Sequence, residues 1–507
     1  MIDGIEDFLS CLVRELNPSI KTQRWFGSKS HTIVNIRVAD YCVEHDPEQT
    51  EMFVVLKFEL EGELTEHYLV PLVIKEHGEL AEHHPLLRLR HRETEFDVFD
   101  GLNIPRFCLK ILKHMSRSDT LKTVNGKIDF FSDELSDSSL KFEEKAVNRV
   151  GSEQSNTSVV FGRKYIYKSY RRMVEGTNPD YEVPLFLIKN GFDATPKPLG
   201  GVVYRGSLYE SSQIGSLFSY VENQGDGWSY LTHEIAVIAS KLQGETSQGQ
   251  ISPRDQSVES TMATCSSLGE LTARLHCVLA SNKASPEFRP EPVTSDDLRE
   301  WSEDFLLQMN GLFETLSKID SALPDDKRAL VERLFVNKDK FEQLANGLGS
   351  SVEPDFNKIR IHGDYHLGQV LKTAAGFTVI DFEGEPARTI EYRRRKRCAV
   401  IDVSGMLRSF SYASNFVAKN IASRNANEVR ANWAKIWYEM AANTFLQTYW
   451  ETSESRGASH IPRSFIDFNR LVKFFVAEKA VYELSYELNN RPDWADIPAT
   501  ALIEIVD

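Results

Sequence analysis

The segment IHGDYHLGQV (361–370) holds an aspartate, two histidines and a glutamine within ten residues, and DFEG follows at 381–384. Asp364 and Gln369 are five positions apart, and Asp381 is seventeen positions after Asp364. Residues of these types serve in three kinds of segment: a metal site built on the histidines, a loop that carries a general base, and a polar surface loop. Their spacing helps to separate the three.

The sequence around the two histidines argues against a zinc site. His362 and His366 have the i,i+4 spacing of HExxH, which brings both rings to one face only on a helix. Gly363 and Gly368 disfavour a helix, and no glutamate follows His362. We therefore assign His366 to the acceptor site and His362 to hydrogen bonds within the loop.

The carboxylates match the loops of phosphoryl-transfer enzymes. In such loops an aspartate accepts the proton of the attacking hydroxyl, and an amide five residues later binds magnesium. Asp364 and Gln369 fit these roles, and Asp381 fits the carboxylate that binds the magnesium bridging the nucleotide phosphates. A β-turn whose Asp and His cap backbone groups also explains HGD alone, but it does not explain the joint pattern.

A nucleotide site further needs a phosphate cradle and a cation. The upstream stretch EQSNTSVVFG (153–162) contains neither GxGxxG nor GxxxxGK[ST], but its hydroxyl, amide and backbone N–H groups could bind phosphates, with four candidates: Ser155, Asn156, Thr157 and Ser158. Lys168 could reach the phosphates with Glu182 as its ion-pair partner. Such residues more often lie on a solvated surface, so this prediction depends on their order along the chain.

Composition excludes several classes of protein. A chain of 507 residues normally forms two or more domains. The formal charge of −15 argues against binding nucleic acid or an anionic membrane. No segment approaches the roughly 18 apolar residues of a membrane span, and the first residues are acidic where a secretory signal is basic. Six scattered cysteines without a CxxC pair fit reduced thiols and a cytoplasmic location.

The hydrophobic pattern predicts an α+β fold with two lobes. Residues 1–148 indicate a mixed α/β N-terminal and intermediate region, 149–222 a small β-rich nucleotide-binding lobe, and 223–507 a mostly helical lobe that carries the polar loop at 361–370. The individual elements are strands at 52–60 and 67–76, a hairpin at 156–172, a helix at 178–191, paired strands within 197–214, and helices that include 266–281 and 295–316.

Three segments have no clear period. Residues 92–99 could form a helix or a strand, 129–142 suit a loop, and 243–257 suit a polar linker. The basic run YRRRKR (392–397) and the single residues Arg388 and Arg408 are interpreted as a solvated face and structural ion pairs, with no catalytic role.

The C-terminal segment EKAVYELSYELNNRPDW (478–494) mixes aromatic rings with carboxylates, the groups that bind sugars. Taken alone, it is more typical of an amphipathic core helix.

Together these motifs resemble the maltokinases, bacterial enzymes that phosphorylate the anomeric hydroxyl of maltose with ATP. The resemblance runs through nearly the whole chain, and its stretches are QRWFGSKS (23–30), EQSNTSVVFG…KSYRR (153–172), NPDYEV (178–183), LGELTARLH (268–276), IRIHGDYHLGQVL…VIDFEGEPAR (359–388), DVSGMLRSFSYA (402–413) and EKAVYELSYELNNRPDW (478–494). It implies a eukaryotic-kinase-like fold with an N-terminal cap, ATP and Mg²⁺ as cofactors, Asp364 as the base, Gln369 and Asp381 as magnesium ligands, and Lys168 as the nucleotide lysine.

The resemblance also implies that the C-terminal helix forms one wall of the maltose site. It adds four sugar-binding residues to His366: Lys479, Tyr482, Tyr486 and Glu487. The product would be maltose 1-phosphate, feeding glycogen and other α-glucan synthesis from trehalose, and trehalose synthase would be a partner. Two alternatives stay open. One is a related aminosugar kinase, such as a glucosamine kinase. The other is a non-catalytic scaffold for trehalose synthase, against which the joint presence of the catalytic-type residues argues.

Overall fold

Runs of β-branched and aromatic residues near the N-terminus form a five-stranded antiparallel sheet in the computed structural model. Its strands are β1 (Ile33–His45), β2 (Thr50–Leu60), β3 (Thr65–Glu76), β4 (Leu87–His91) and β5 (Thr94–Asp100), in the order β1-β2-β3-β5-β4. The segment 92–99, left open between helix and strand, lies largely in β5. The structure describes residues 2–507 except 3, 19, 47, 79–82, 137–139, 141, 151–155, 245–255, 282–283, 320–324, 386–387 and 421–426.

Side chains on both faces of β2 are buried, which explains its unbroken apolar run at 52–56. Met52 and Val54 belong to a core that includes helix α1 (Ile5–Leu16) and the segment with Trp25. Phe53 points to the opposite face and joins a second core. Alternation of side chains along a strand sends successive residues into different cores.

A seven-stranded antiparallel sheet contributes to the second core. Its strands are β6 (Thr120–Lys122), β7 (Gly126–Ser132), β8 (Val147–Arg149), β9 (Asn156–Phe161), β10 (Tyr165–Tyr170), β11 (Pro198–Gly206) and β12 (Ser212–Ser219), in the order β6-β7-β11-β12-β10-β9-β8. Helix α2 (Pro105–Arg117) packs in the same core. The loop predicted at 129–142 was wrong at its start, because buried Phe130 keeps residues 129–132 in β7.

The predicted hairpin is confirmed as β9 and β10, paired through six residues each. Its turn is the Gly162–Arg163 pair, with φ of 54° and 53°, the left-handed conformation of a type I′ turn. The helix predicted at 178–191 is α3 (Pro179–Lys189), and Gly191 follows its end at φ 84°.

Most of the remaining chain is helical, as predicted. The helices are α4 (Gly227–Gly244), α5 (Gln256–Leu279), α6 (Ser295–Ile319), α7 (Asp325–Val336), α8 (Lys338–Ser351), α9 (Ile390–Arg394), α10 (Val400–Asn420), α11 (Asn427–Ser455), α12 (Phe465–Asn490) and α13 (Asp496–Val506). Two short strand pairs interrupt them: β13 (Glu291–Pro292) with β14 (Asn357–Lys358), and β15 (Val370–Thr373) with β16 (Gly376–Val379). Most of the polar linker predicted at 243–257 lies outside the described residues.

Contacts divide the described residues into two compact units, 1–186 with 196–222 and 187–195 with 223–507. The boundary therefore falls within α3. The three-part division of the sequence stays a prediction. None of the helices in the described part of the chain combines the length and apolarity that a bilayer span requires.

Candidate active site

The loop 361–370 connects β14 to β15 and contains a short 3₁₀ turn at Leu367–Gln369. Its histidines use their rings inside the loop. His362 Nε2 donates to the carbonyl oxygen of Ile380 (2.9 Å), and its Nδ1 accepts from the N–H of Asp364 (3.4 Å). His366 Nδ1 accepts from the N–H of Gly368 (3.0 Å), and burial lowers the pKa of His366, which favours the neutral ring that this bond requires.

A buried carboxylate on α10 holds this loop. Asp402, only 1% exposed, accepts hydrogen bonds from the N–H groups of His362 (2.7 Å) and Gly363 (2.9 Å). Its Oδ2 also lies 3.1 Å from His276 Nε2. Burial by itself would raise the pKa of Asp402, but the hydrogen bond and charge of His276 outweigh it and hold that pKa below its usual range.

Helix α10 lies against the loop at Gly405. A Cβ at this position would come within 2.4 Å of the carbonyl oxygen of Tyr365, so only glycine permits the approach. Asp402 and Gly405 together fix the main chain on both sides of Asp364. Neither residue was predicted to have a role, although both belong to the DVSGMLRSFSYA block that carries the family resemblance.

Replacing Asp402 by asparagine is expected to lower the free energy of unfolding by about 3 kcal/mol, because it removes one partner of a buried charged network. Urea unfolding at neutral pH measures the loss. Asp304→Asn, at an exposed position on α6, is the matched control. An Asp402→Asn midpoint equal to that of the control would contradict the assigned role.

The same carboxylate predicts a pH dependence. Because its folded pKa is depressed, its stabilisation is complete above the unfolded pKa of about 3.9 and is lost as the pH falls through the folded value. The stability difference between the wild type and Asp402→Asn should therefore shrink as the pH is lowered below about 4. Unfolding curves measured from pH 7 to pH 3 test this sign.

The two predicted magnesium ligands lie next to each other. Gln369 Nε2 donates to Asp381 Oδ2 at 3.1 Å, which leaves the amide oxygen for another partner. Carboxylate and amide oxygens suit Mg²⁺, which is usually held by one or two carboxylates together with water and phosphate oxygens. Among the described residues, no group of three or more His, Cys, Asp or Glu side chains is placed to hold a metal ion.

Asp381 has a left-handed backbone, with φ of 66°. This conformation is uncommon for residues other than glycine, although Asp and Asn tolerate it best. Strained backbone of this kind is concentrated at functional sites. The strain therefore supports a functional interpretation of Asp381 independently of the sequence pattern.

A small pocket, with a cavity volume of about 40 Å³, lies beside Asp364, and its lining includes residues of α12 and of the segment after β16. Lys479 Nζ is 2.8 Å from Glu385 Oε1 and 4.0 Å from Asp364 Oδ1. Burial opposes the charge of Lys479, but the two carboxylates outweigh it and raise its pKa, so the ammonium stays protonated. Tyr482 also lines the pocket, and the Lys479 ammonium lies 5.0 Å from the centre of its ring.

The other predicted sugar-binding residues lie elsewhere. Glu487 is 2% exposed, accepts from the Tyr412 hydroxyl at 3.1 Å and pairs with Arg491 at 2.6 Å. Tyr486 is exposed, with Arg491 over its ring. Neither of them, nor His366, is among the residues that line the pocket. A role for these three in sugar binding stays a prediction.

Several residues that line the pocket were not selected from the sequence. They are Gln308 on α6, Glu478 on α12, and Glu385, Arg388 and Arg397 after β16. Arg388 forms the structural ion pair expected of it, with Glu385 at 3.4 Å, but it also faces the pocket. The ion pairs expected of Lys396 and Arg408 are formed with Glu291 (2.6 Å) and Glu483 (2.8 Å).

The residues predicted to bind the nucleotide belong to the compact unit 1–186 with 196–222, whereas the pocket beside Asp364 is lined by residues of the second unit. Lys168 on β10 pairs with Asp180 at 2.9 Å, a buried carboxylate at the start of α3 that the sequence analysis did not select. Glu182, the expected partner, lies two positions further along the helix and is half-buried. The Tyr170 hydroxyl also donates to Asp180, at 3.3 Å.

The expected phosphate cradle is only partly open. Asn156 begins β9 and is half-buried, and Ser155 lies outside the described residues. The side chains of Thr157 and Ser158 are 1% and 0% exposed, so their hydroxyls face the interior.

The arrangement of sheets and helices, with an aspartate loop between short strands, defines a kinase-like α+β protein. A solved structure described as a glucosamine kinase in complex with glucosamine, ADP and inorganic phosphate is similar to 94% of this chain and 95% of its own, with a TM-score of 0.64 and 18% identity. Crystal form A of a glucosamine kinase is similar over 100% and 99% of the two chains, again with a TM-score of 0.64 and 18% identity. These likenesses establish the fold.

Residues 20–103 match the maltokinase N-terminal cap domain, which confirms the resemblance to that family in this part of the chain. Two glucosamine kinases are similar in sequence over a longer stretch. The one from Streptacidiphilus jiangxiensis is 25% identical over 360 residues, which are 70% of this chain and 72% of that protein. The one from Mycolicibacterium smegmatis is 24% identical over 355 residues, 70% and 78% of the two chains.

Proposed function

We propose that this chain is an ATP-dependent sugar kinase that phosphorylates the anomeric hydroxyl of maltose, giving maltose 1-phosphate and ADP. The observation that carries the proposal is the pocket beside Asp364, in which a candidate base, a fixed ammonium and an aromatic ring face one space. Sugars are bound by such combinations of polar groups and aromatic faces. The match to the maltokinase cap domain supports the choice of maltose.

In the proposed reaction, Asp364 accepts the proton of the anomeric hydroxyl while the hydroxyl oxygen forms a bond to the γ-phosphorus. The bond from that phosphorus to the bridging oxygen breaks, and ADP leaves with the electron pair. Gln369 and Asp381 would hold Mg²⁺, which neutralises charge on the phosphate oxygens when bound. Lys168, kept in place by Asp180, would bind the nucleotide phosphates.

The charges of the pocket support a neutral acceptor. Asp364 and Glu385 already face the Lys479 ammonium, and Arg388 pairs with Glu385. A protonated amine close to Lys479 would be repelled by the ammonium and would meet two carboxylates that already face it. The hydroxyls of a neutral sugar can accept from Lys479 and donate to Glu385, so they suit these groups without a new charge.

A second candidate is an aminosugar kinase, because the two relatives described above are glucosamine kinases. An acceptor screen separates the candidates: ADP release is followed with maltose, glucose and glucosamine, and the product is identified by mass spectrometry and NMR. Turnover on glucosamine without turnover on maltose would select the second candidate. Absence of Mg-ATP binding in calorimetry would instead favour the trehalose synthase scaffold.

The proposal retains the wider expectations of the family resemblance. Maltose 1-phosphate would feed α-glucan synthesis in the cytoplasm, and trehalose synthase is the proposed partner. Co-purification of the two proteins at physiological salt tests the association directly.

Lys479→Met is expected to raise KM for maltose by about 10-fold to 100-fold, the effect of losing one or two charged hydrogen bonds. It should also raise the ratio of kcat/KM for glucosamine to that for maltose, since the repelling ammonium is gone. Lys473→Met, at an exposed site on the same helix, is the control. Unchanged acceptor kinetics in Lys479→Met would refute the assigned contact.

A further inference from the structure

A buried arginine joins the N-terminal five-stranded sheet to the hairpin that carries Lys168. Arg171 is 0% exposed, and its Nη2 donates to both carboxylate oxygens of Asp100, at 2.8 and 2.7 Å. Its Nε donates to Thr157 Oγ1 at 3.1 Å. The guanidinium also lies 5.4 Å from the ring centre of Trp25, in the QRWFGSKS motif to which the proposed chemistry assigns no role. A buried guanidinium requires such partners, so it holds their segments together.

The contacts of Arg171 reach the nucleotide residues through the strand register. Thr157 on β9 is paired with Ser169 on β10, and Ser158 is paired with Lys168. The hydrogen bond from Arg171 to Thr157 therefore crosses the same pair of strands, next to the lysine. Movement of the guanidinium would shift the end of β9 where the phosphate cradle is predicted.

Arg172, the next residue along the chain, forms a second connection between the end of β10 and β3. Arg172 pairs with Glu66 at 2.8 Å, and Glu66 accepts hydrogen bonds from Ser28 (2.8 Å) and the Tyr68 hydroxyl (2.9 Å). The main chain continues the link, because the N–H of Leu69 donates to the carbonyl oxygen of Arg171 at 2.7 Å. The chain leaving β10 thus forms side-chain and main-chain hydrogen bonds to β3, and Glu66 of β3 extends the link to Ser28 of the QRWFGSKS motif.

We propose that Arg171 is a positioning residue through which the N-terminal cap region, residues 20–103, sets the placement of Lys168 and of the phosphate-binding end of β9. The cap region thereby determines the affinity for Mg-ATP and leaves the affinity for the acceptor unchanged. This inference rests on the proposed kinase function.

Asp100→Asn tests the proposal in the full-length chain. Asparagine keeps the size of the side chain and the acceptor that Leu102 N–H uses, but it removes the charge that faces Arg171. We expect KM for ATP to rise by about 10-fold, and the Kd for Mg-ATP in calorimetry to rise in parallel, as for other displacements remote from the reacting atoms. KM for maltose should stay within about twofold of the wild type.

Leu12→Ala separates positioning from general loss of stability. Leu12 lies on α1, outside the cap region and outside the contacts of Arg171 and Arg172 described above, and it is buried, so its replacement should lower Tm without changing KM for ATP. Arg172→Met is the second variant, for use if Asp100→Asn does not fold. Arg172 is half-exposed, and its loss should raise KM for ATP by about threefold.

The outcomes are distinguishable. A wild type that binds Mg-ATP, together with a soluble Asp100→Asn or Arg172→Met whose KM for ATP is unchanged, would overturn the inference while leaving the kinase proposal intact. A rise in both KM values would also overturn it, because the effect would then be structural. A wild type that does not bind Mg-ATP would overturn the proposed function and this inference together.

Discussion

Asp364→Asn is expected to lower kcat for maltose by about 10²–10⁴-fold, the usual contribution of a positioned general base. Asparagine has nearly the same shape but cannot accept the proton of the anomeric hydroxyl. The loop should keep its conformation, because His362 and Asp402 hold it through main-chain N–H groups and not through the Asp364 side chain. The loss should therefore appear in kcat, with little change in Mg-ATP binding.

Steady-state kinetics with maltose and calorimetry with Mg-ATP measure the two quantities separately. Asp304→Asn on α6 is the control for removing one exposed carboxylate from the same unit. If Asp364→Asn turns over maltose at a rate close to that of the wild type, Asp364 is not the base and the proposed reaction must be revised.

Asp381→Asn should lower turnover at fixed Mg²⁺ by about 10²–10³-fold, as does the loss of one strong electrostatic contact to a transferring group. The substitution is chosen for the backbone at this position. With φ of 66°, Asp381 has a conformation that asparagine tolerates, whereas alanine adds strain of about 1–2 kcal/mol. Asn therefore removes the charge alone, and Ala removes the charge and destabilises the loop.

Titration of Mg²⁺ at fixed ATP measures this effect, and urea unfolding of the Asn and Ala variants measures the strain. Increased Mg²⁺ should restore part of the activity of Asp381→Asn, because the remaining amide can still coordinate weakly. A titration curve that superimposes on that of the wild type would remove Asp381 from the metal site.

Local patterns carried most of the successful sequence predictions. The β9–β10 hairpin has a Gly-Arg turn, and α3 ends before a glycine with positive φ, so each element contains its own signal. The proximity of Gln369 and Asp381 could also be predicted from the sequence, because they are only twelve positions apart and one strand pair connects them.

Contacts between distant parts of the chain were not predictable in this way. Asp402 lies 40 residues from the loop that it holds, and Lys479 lies 94 residues from Glu385. Helix α10 is buried over most of its surface, so its burial pattern does not single out Asp402 or Gly405. Within α3, Asp180 and Glu182 differ by about 200° around the axis, so the partner of Lys168 that the structure adds lies on another side of the helix from the predicted one.

The hydrogen bonds between β3 and the residues after β10 restrict how this chain can be shortened. Removing the first hundred residues would take away Asp100 and the N–H of Leu69, so Arg171 would lose its carboxylate partner and its main-chain link to β3. It would also uncover the side of the seven-stranded sheet that packs in the shared core. Gene trimming or limited proteolysis that releases this region should therefore yield aggregated material, which makes it an integral half of the folding unit and not a detachable extension.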